Sequence, residues 1–195
     1  MSKFRGVKTN NAKTAAKKMI RESVISKIGA LPVLEVFCGN GEMYGSVWNK
    51  CESYTGIDIV KYFDERNTIC GDAVKAVTSI DLSAYSIFDI DAYGSPYTIL
   101  DIITSRIQTG KEYGFIITDG TQMDLKLGRI CKGIRSLSRI DFHIAKRAHK
   151  IHDDIISDII ETLEARLKGK VKNFIIANGK TGAAMKYYAF TIIPV

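Results

Sequence analysis

No apolar run in this 195-residue chain approaches the roughly 20 residues that span a bilayer, so no membrane partner is expected. The opening residues, MSKFRGVKTNNAKTAAKK, lack the apolar stretch of a secretory signal. Cysteine is sparse and scattered: Cys38, Cys51, Cys70 and Cys131 contain no CxxC pair, which argues against a zinc ribbon and a disulfide framework. A reducing, cytoplasmic setting is the simplest expectation. Internal repeats and low-complexity tracts are absent. Acidic residues are nearly missing from two stretches. Residues 1–27 carry Lys3, Arg5, Lys8, Lys13, Lys17, Lys18, Arg21 and Lys27 against Glu22 alone. Residues 126–150 carry Lys126, Arg129, Lys132, Arg135, Arg139, Lys146, Arg147 and Lys150 against Asp141 alone.

The two clusters carry +7 each and the remaining residues carry −7, which leaves the net charge of +7. Two basic clusters set apart in this way read as a surface for an anionic partner, nucleic acid first and RNA before DNA. Composition is otherwise that of a globular domain, 46% hydrophobic and 25% charged. The division expected is a basic helical segment over residues 1–31, then a domain over 32–195 with a basic, partly helical insertion at about 121–148.

Within that domain, short β-branched runs stop at glycine or aspartate. Val33-Leu34-Glu35-Val36-Phe37 ends at Gly39-Asn40-Gly41, and Tyr54–Ile59 contains Asp58. Thr68-Ile69-Cys70 ends at Gly71-Asp72, Ser86–Asp91 leads into Ala92-Tyr93-Gly94-Ser95-Pro96, and Gly114–Thr118 completes the series. All read as buried strands. Helices are expected over 12–28, around 42–50 and 73–80, over 97–108, and from His149 to Leu167, where isoleucines and leucines recur at helical spacing. Val171–Ala177 and Ala184–Ile193 flank Asn178-Gly179-Lys180-Thr181-Gly182 as a terminal hairpin. The fold class is therefore α/β: a doubly wound, mostly parallel seven-stranded sheet with a C-terminal antiparallel hairpin. Such a sheet binds ligands beyond the carboxyl ends of its strands, at the point where the strand order reverses.

The loops at those ends carry the candidate site. Gly39 and Gly41 let a ligand lie against the backbone, but position 44, where a dinucleotide fingerprint needs a third glycine, is Tyr44. That disfavours a pyrophosphate and a nicotinamide oxidoreductase. Asp58 is placed to accept ribose hydroxyls and Asp72 an adenine amino group. Each acid alone is more often a strand-ending or capping residue. Glu35, Asp58 and Asp72 in succession also suit a cationic ligand.

Glu35-x-Phe37-x-Gly39-x-Gly41, Asp58 and Gly71-Asp72 resemble the successive cofactor motifs of class I S-adenosylmethionine-dependent methyltransferases, over roughly residues 33–120. The resemblance implies a Rossmann-like methyltransferase fold with S-adenosylmethionine held by Glu35, Phe37, Gly39, Gly41, Asp58, Asp72 and Asp89. Asp89-Ile90-Asp91-Ala92-Tyr93-Gly94-Ser95-Pro96 resembles the Asp-Pro-Phe-Gly-Ser-Pro segment of tRNA guanine-N2 dimethyltransferases. It is a looser relative of the Asp-Pro-Pro-Tyr motif of amino-methylating DNA and RNA enzymes. That resemblance implies Asp91 as acceptor or base, with the Ala92 carbonyl beside it, and Tyr93 stacking on the base. Pro96, Lys126, Arg129 and Lys132 would border the nucleic acid. Ala92 stands where the family has proline and Tyr93 where it has phenylalanine. The large C-terminal domain of the tRNA enzymes has no counterpart in the sequence.

The alternatives kept open are N6-adenine or N4-cytosine methylation in DNA, and a non-catalytic nucleic-acid-binding module of the same fold. No metal is expected: His149, His152 and Asp153 show no third ligand by spacing and read as a solvated helix start. Cys38 reads as a small side chain beside the cofactor. Asp119-Gly120-Thr121 reads equally as a turn or as a border of the substrate pocket.

Overall fold

A computed structural model describes residues 13–142, 145–177 and 184–195. Seven strands form one sheet: β1 (Val33–Val36), β2 (Tyr54–Asp58), β3 (Thr68–Cys70), β4 (Ile87–Asp91), β5 (Tyr113–Asp119), β6 (Gly169–Ala177) and β7 (Lys186–Pro194). Their order is β3-β2-β1-β4-β5-β7-β6. The first five run parallel, and β7 pairs antiparallel with both β5 and β6. The hairpin therefore places its second strand inside the sheet and leaves β6 at the edge. Its connecting turn, expected at 178–182, lies outside the described residues. Strand order reverses between β1 and β4, which puts the crevice of a wound sheet at the carboxyl ends of these two strands.

The helices are α1 (Thr14–Ile28), α2 (Glu42–Ser46), α3 (Ala73–Ser79), α4 (Tyr97–Arg106), α5 (Gln122–Lys126), α6 (Lys132–Leu137) and α7 (His152–Leu167). The strand pleat sends alternate side chains to opposite faces. Leu34, Val36, Ile57, Phe88, Ile90, Phe115 and Ile117 meet α3, α4, α6 and α7. Rings stack across neighbouring strands there: Phe88 on Phe115 with centroids 5.6 Å apart, and Phe115 on Phe190 at 5.3 Å. Val33, Tyr54, Ile87, Ile116 and Ala189 face the other way, against α1 and α2. The central strands are buried on both faces, as parallel strands covered by helices on each side are.

Two segments set apart in the sequence reading are built into this core. Helix α1 lies along β7, β5 and β6 and buries Ile20 and Val24. Arg21, counted among the cations of a surface for an anionic partner, is wholly buried. The 121–148 stretch, expected as an insertion, supplies Leu125, Ile134 and Leu137 to the same core as the strands. Its helix α6 packs on α4 so tightly that a Cβ on Gly133 would overlap the Tyr97 carbonyl group. The basic side chains stay outside: Lys126, Arg129 and Lys132 are all exposed. Arg139 is not free, since it bridges Asp158 and Glu161. Among the described residues, no helix is long and apolar enough to cross a membrane.

Because backbone atoms cannot move aside cheaply, Gly133→Ala should destabilise the chain by about 1–3 kcal/mol, read from the urea midpoint at unchanged slope.

Candidate active site

The loop after β1 turns through three residues of positive φ: Phe37 at 68°, Gly39 at 51° and Gly41 at 82°. In Phe37, a residue with a Cβ, this conformation stores strain of about 1–3 kcal/mol. The loop is tied to β2, since the Ile57 carbonyl accepts from the Phe37 and Cys38 amides at 2.8 and 3.1 Å. Asp58 adds to this by accepting from the Gly39 amide at 2.9 Å and from its own loop at Val60. The β2–β3 connection, residues 59–67, contains no helix. It carries the exposed apolar side chains Ile59, Val60 and Phe63, the last 89% exposed. Arg66 returns from it to the glycine loop and donates to the Gly39 carbonyl at 3.1 Å, while Asp64 braces its guanidinium at 2.7 Å. A Cβ on Gly41 would meet that guanidinium at 2.7 Å.

These features fit an adenosyl ligand. A Cβ on Gly39 would meet nothing within 4 Å, so the backbone there is open to approach. Asp58 offers oxygens at the strand end, and an apolar wall of Phe37, Ile59 and Val60 stands exposed beside it. Asp72 is exposed and caps α3, accepting from the Lys75 amide at 2.9 Å. That is the capping alternative weighed from the sequence.

The remaining acids lie deeper. Asp89 and Asp91 point to the same face, as strand spacing requires, and α1 covers both. Arg21 grips Asp89 with two bonds, Nε to Oδ2 at 2.6 Å and Nη2 to Oδ1 at 2.9 Å, and Trp48 Nε1 donates to Oδ2 at 3.0 Å. Asp89 is therefore wholly buried with its oxygens occupied, away from the surface at which a cofactor could reach it. Glu35 is buried too and accepts the Tyr54 hydroxyl at 2.5 Å. Burial, reinforced by the charge of Asp89, pushes its carboxyl up to about 8. Both residues, expected as cofactor contacts, are instead buried, with Arg21 and Trp48 on Asp89 and Tyr54 on Glu35.

Asp91, at the end of β4, receives Lys17 Nζ on both oxygens, at 2.7 and 2.8 Å. Burial works to raise the Asp91 carboxyl, but Arg21 and Lys17 together hold it below the ordinary range. Tyr93 follows, 75% exposed, whereas Ala92 and Pro96 are buried. The Gly120 amide donates to the Gly94 carbonyl at 2.9 Å and pins this loop to the end of β5.

On the opposite face, Asp119 is wholly buried and accepts from Tyr97 Oη at 2.6 Å and the Thr121 amide at 2.8 Å. His152 Nε2 lies 2.9 Å from the same carboxylate and Nδ1 lies 2.9 Å from Gln122 Oε1. The expected solvated helix start is thus a buried anchor joining β5, α4, α5 and α7. Among the described residues, no three His, Cys, Asp or Glu side chains are placed to hold a metal ion.

Lys17, Arg21, Tyr54 and Arg66 are the site residues that sequence reasoning missed. One pattern was available for two of them: cations at i and i+4 on a helix match acids at i and i+2 on a strand.

No protein-family model and no curated protein matches the sequence. Solved structures do match it. N-methyltransferase NodS from Bradyrhizobium japonicum WM9, in complex with S-adenosylhomocysteine, aligns over 96% of this chain and 90% of its own, with a TM-score of 0.57 and 11% identity. The plantazolicin methyltransferase BpumL, also bound to S-adenosylhomocysteine, aligns over 92% and 82% with a TM-score of 0.51 and 13% identity. A methyltransferase from Clostridium acetobutylicum ATCC 824 gives 94% and 95%, a TM-score of 0.52 and 10% identity. The fold is that of the S-adenosylmethionine-dependent methyltransferases. The strand order, with its reversal between β1 and β4, belongs to that fold.

The raised carboxyl of Glu35 has a thermodynamic consequence. Between an unfolded value near 4.5 and a folded value of about 8, the folded chain keeps a proton that the unfolded chain has lost. The stability contributed by Glu35 is therefore full below the lower value and is lost as pH rises toward the upper one. Glu35→Gln retains an oxygen for Tyr54 and no longer titrates. Its melting temperature, relative to the parent, should climb between pH 5 and pH 8; parallel curves would contradict the assignment.

Proposed function

We propose that the chain is an S-adenosylmethionine-dependent methyltransferase acting on an exocyclic amine of a nucleic-acid base, with guanine N2 in RNA the first candidate. The observation that carries this reading is the adjacency of two loops across the switch point. The glycine loop and Asp58 lie on one side of it, and Asp91 with an exposed Tyr93 lies on the other. When bound, the cofactor supplies a methyl group on a sulfonium, transferred as a nitrogen–carbon bond forms and the carbon–sulfur bond breaks with its electron pair staying on sulfur.

The chain's own residues have separable tasks. Asp58 and the Gly39 turn hold the adenosyl end, Ile59 and Val60 flank it, and Asp72 borders it from the cap of α3. Asp91 and the Ala92 carbonyl accept hydrogens of the target amine and aim its lone pair, and Tyr93 stacks on the base. Alignment of this kind supplies much of the rate for a poor nucleophile whose lone pair is delocalised into a ring. NodS, an N-methyltransferase, has the same fold, which supports nitrogen as the acceptor. The exposed Met123 and Leu127 together with Lys126, Arg129 and Lys132, all following the loop after β5, offer apolar and cationic contacts to an RNA strand.

Two alternatives share the fold. Adenine or cytosine in DNA fits the same loop chemistry. A non-catalytic nucleic-acid-binding module is favoured by one observation, the occupation of both Asp91 oxygens by Lys17.

Labelled methyl transfer to total tRNA, compared with duplex DNA, separates the three. The expected outcome is transfer to RNA that Asp91→Ala abolishes without changing the thermal shift caused by S-adenosylhomocysteine, whereas Asp58→Ala loses that shift. Replacing Lys126, Arg129 and Lys132 together by alanine should weaken RNA binding and reduce its salt slope by about 2. Unchanged binding by the triple variant would reduce this surface to a solvated one.

A further inference from the structure

Lys17 occupies the place an acceptor group must approach. Its ammonium straddles the two Asp91 oxygens, with 18% of the lysine side chain and 14% of the aspartate side chain exposed. This is a fixed position, set by the next turn of α1. Arg21 is wholly buried, holds Asp89 with two bonds and lies 3.6 Å from Asp91 Oδ2. The same guanidinium donates Nη1 to the Lys17 carbonyl at 3.0 Å, so the backbone beneath Lys17 is tied to the ion pair below it. The Tyr187 ring, 5.9 Å from Nζ, gives the ammonium an aromatic neighbour.

The charges of this cluster cancel. Asp89 and Asp91 are matched by Arg21 and Lys17, and Glu35 keeps its proton at neutral pH because burial holds its carboxyl up at about 8. The end of β4 therefore lacks the net negative charge that would draw in a cationic amine, although it contains two aspartates.

We propose that Lys17 is a specificity-determining residue, which neutralises the Asp91 end of the crevice and so selects an uncharged nitrogen nucleophile, the amino group of a heteroaromatic base, over a cationic alkylamine. The inference rests on the reading above that Asp91 receives the acceptor, and it deepens that reading by naming what sets the acceptor's charge. A cationic amine arriving at Asp91 meets a like charge already seated there, and like charges in a partly desolvated site repel strongly. An alkylammonium must also shed a proton before it can attack, and a carboxylate held ionised by Lys17 and Arg21 is a poor base for that task. A heteroaromatic amine attacks while neutral. Once the nitrogen–carbon bond has formed and the electron pair of the broken carbon–sulfur bond has stayed on sulfur, the methylated nitrogen is strongly acidic. Its proton passes to Asp91 or to water.

The test measures affinity for spermidine and for guanosine by NMR titration of the full chain saturated with S-adenosylhomocysteine. Wild type is compared with Lys17→Met, Lys17→Gln and Lys17→Arg. Removal of the charge in Lys17→Met and Lys17→Gln should raise the spermidine-to-guanosine affinity ratio at least about tenfold, which corresponds to about 1.4 kcal/mol. Lys17→Arg should leave the ratio as in wild type, and adding Asp91→Asn to Lys17→Met should remove the gain. Lys17→Gln keeps a hydrogen-bond donor to Asp91 and guards against a folding defect in the methionine variant, each protein being checked by its thermal shift with S-adenosylhomocysteine. An unchanged ratio in both uncharged variants, including binding of neither compound, overturns the proposal. Failure of the parent reading has a different appearance: wild-type protein that binds S-adenosylhomocysteine but transfers no methyl to RNA, whatever the spermidine result.

Discussion

The pairing of two helical cations with two strand carboxylates is the constraint on which the rest of the site depends. Arg21 on Asp89 and Lys17 on Asp91 fasten α1 to β4 at the switch point. Two acids on a buried strand would each carry a heavy desolvation penalty alone, and two cations on an apolar helix face would do the same. Together they satisfy one another, and Trp48 takes a remaining lone pair of Asp89. Breaking such a pair from one side leaves an uncompensated buried charge, at a cost of about 3–5 kcal/mol. The helix that reads as a basic segment in sequence is held in place by electrostatics and covers the carboxyl end of β4.

The sheet then separates two tasks by face. On the side of α1 and α2 lie the acids: Glu35 protonated, Asp89 locked, Asp91 ionised and near the surface. On the other side lies an uncharged aromatic core of Phe88, Phe115 and Phe190, closed at its carboxyl end by Asp119 and His152. That second network fixes the loop after β5 through Thr121 and Gln122, and the loop in turn holds Gly94 through Gly120. Tyr93 is thus presented outward from a loop secured on both flanks. The backbone of that loop is held in this way, while the Tyr93 side chain itself stays 75% exposed.

Much of the architecture was legible. The parallel strands announced themselves as short β-branched runs ended by glycine or aspartate, and the observed β1, β2, β3, β4 and β5 fall within a residue or two of those runs. The glycine turn and the cap-like position of Asp72 followed from local rules. Less legible was the helix-free connection over 59–67, because nothing in Ile59-Val60-Lys61-Tyr62-Phe63 distinguishes a wall of a binding crevice from an exposed loop. The 121–148 stretch was judged by its charges, which stayed at the surface, while its apolar half sank into the core.

The sequence by itself determined the sheet, its winding, the order of the loops that meet at its carboxyl edge and the resemblance that suggests a methyl-transfer chemistry, because each depends on spacing within a few residues. The tertiary structure alone decided which charges are free. Lys17, Arg21, Arg66 and His152 look like ordinary surface groups in a list of residues, and Glu35 and Asp89 like cofactor ligands. Their true environments come from partners up to 74 positions away, such as Lys17 and Asp91. Burial, ionisation and pairing are properties of a neighbourhood in space, and no local periodicity encodes which distant carboxylate a given lysine will meet.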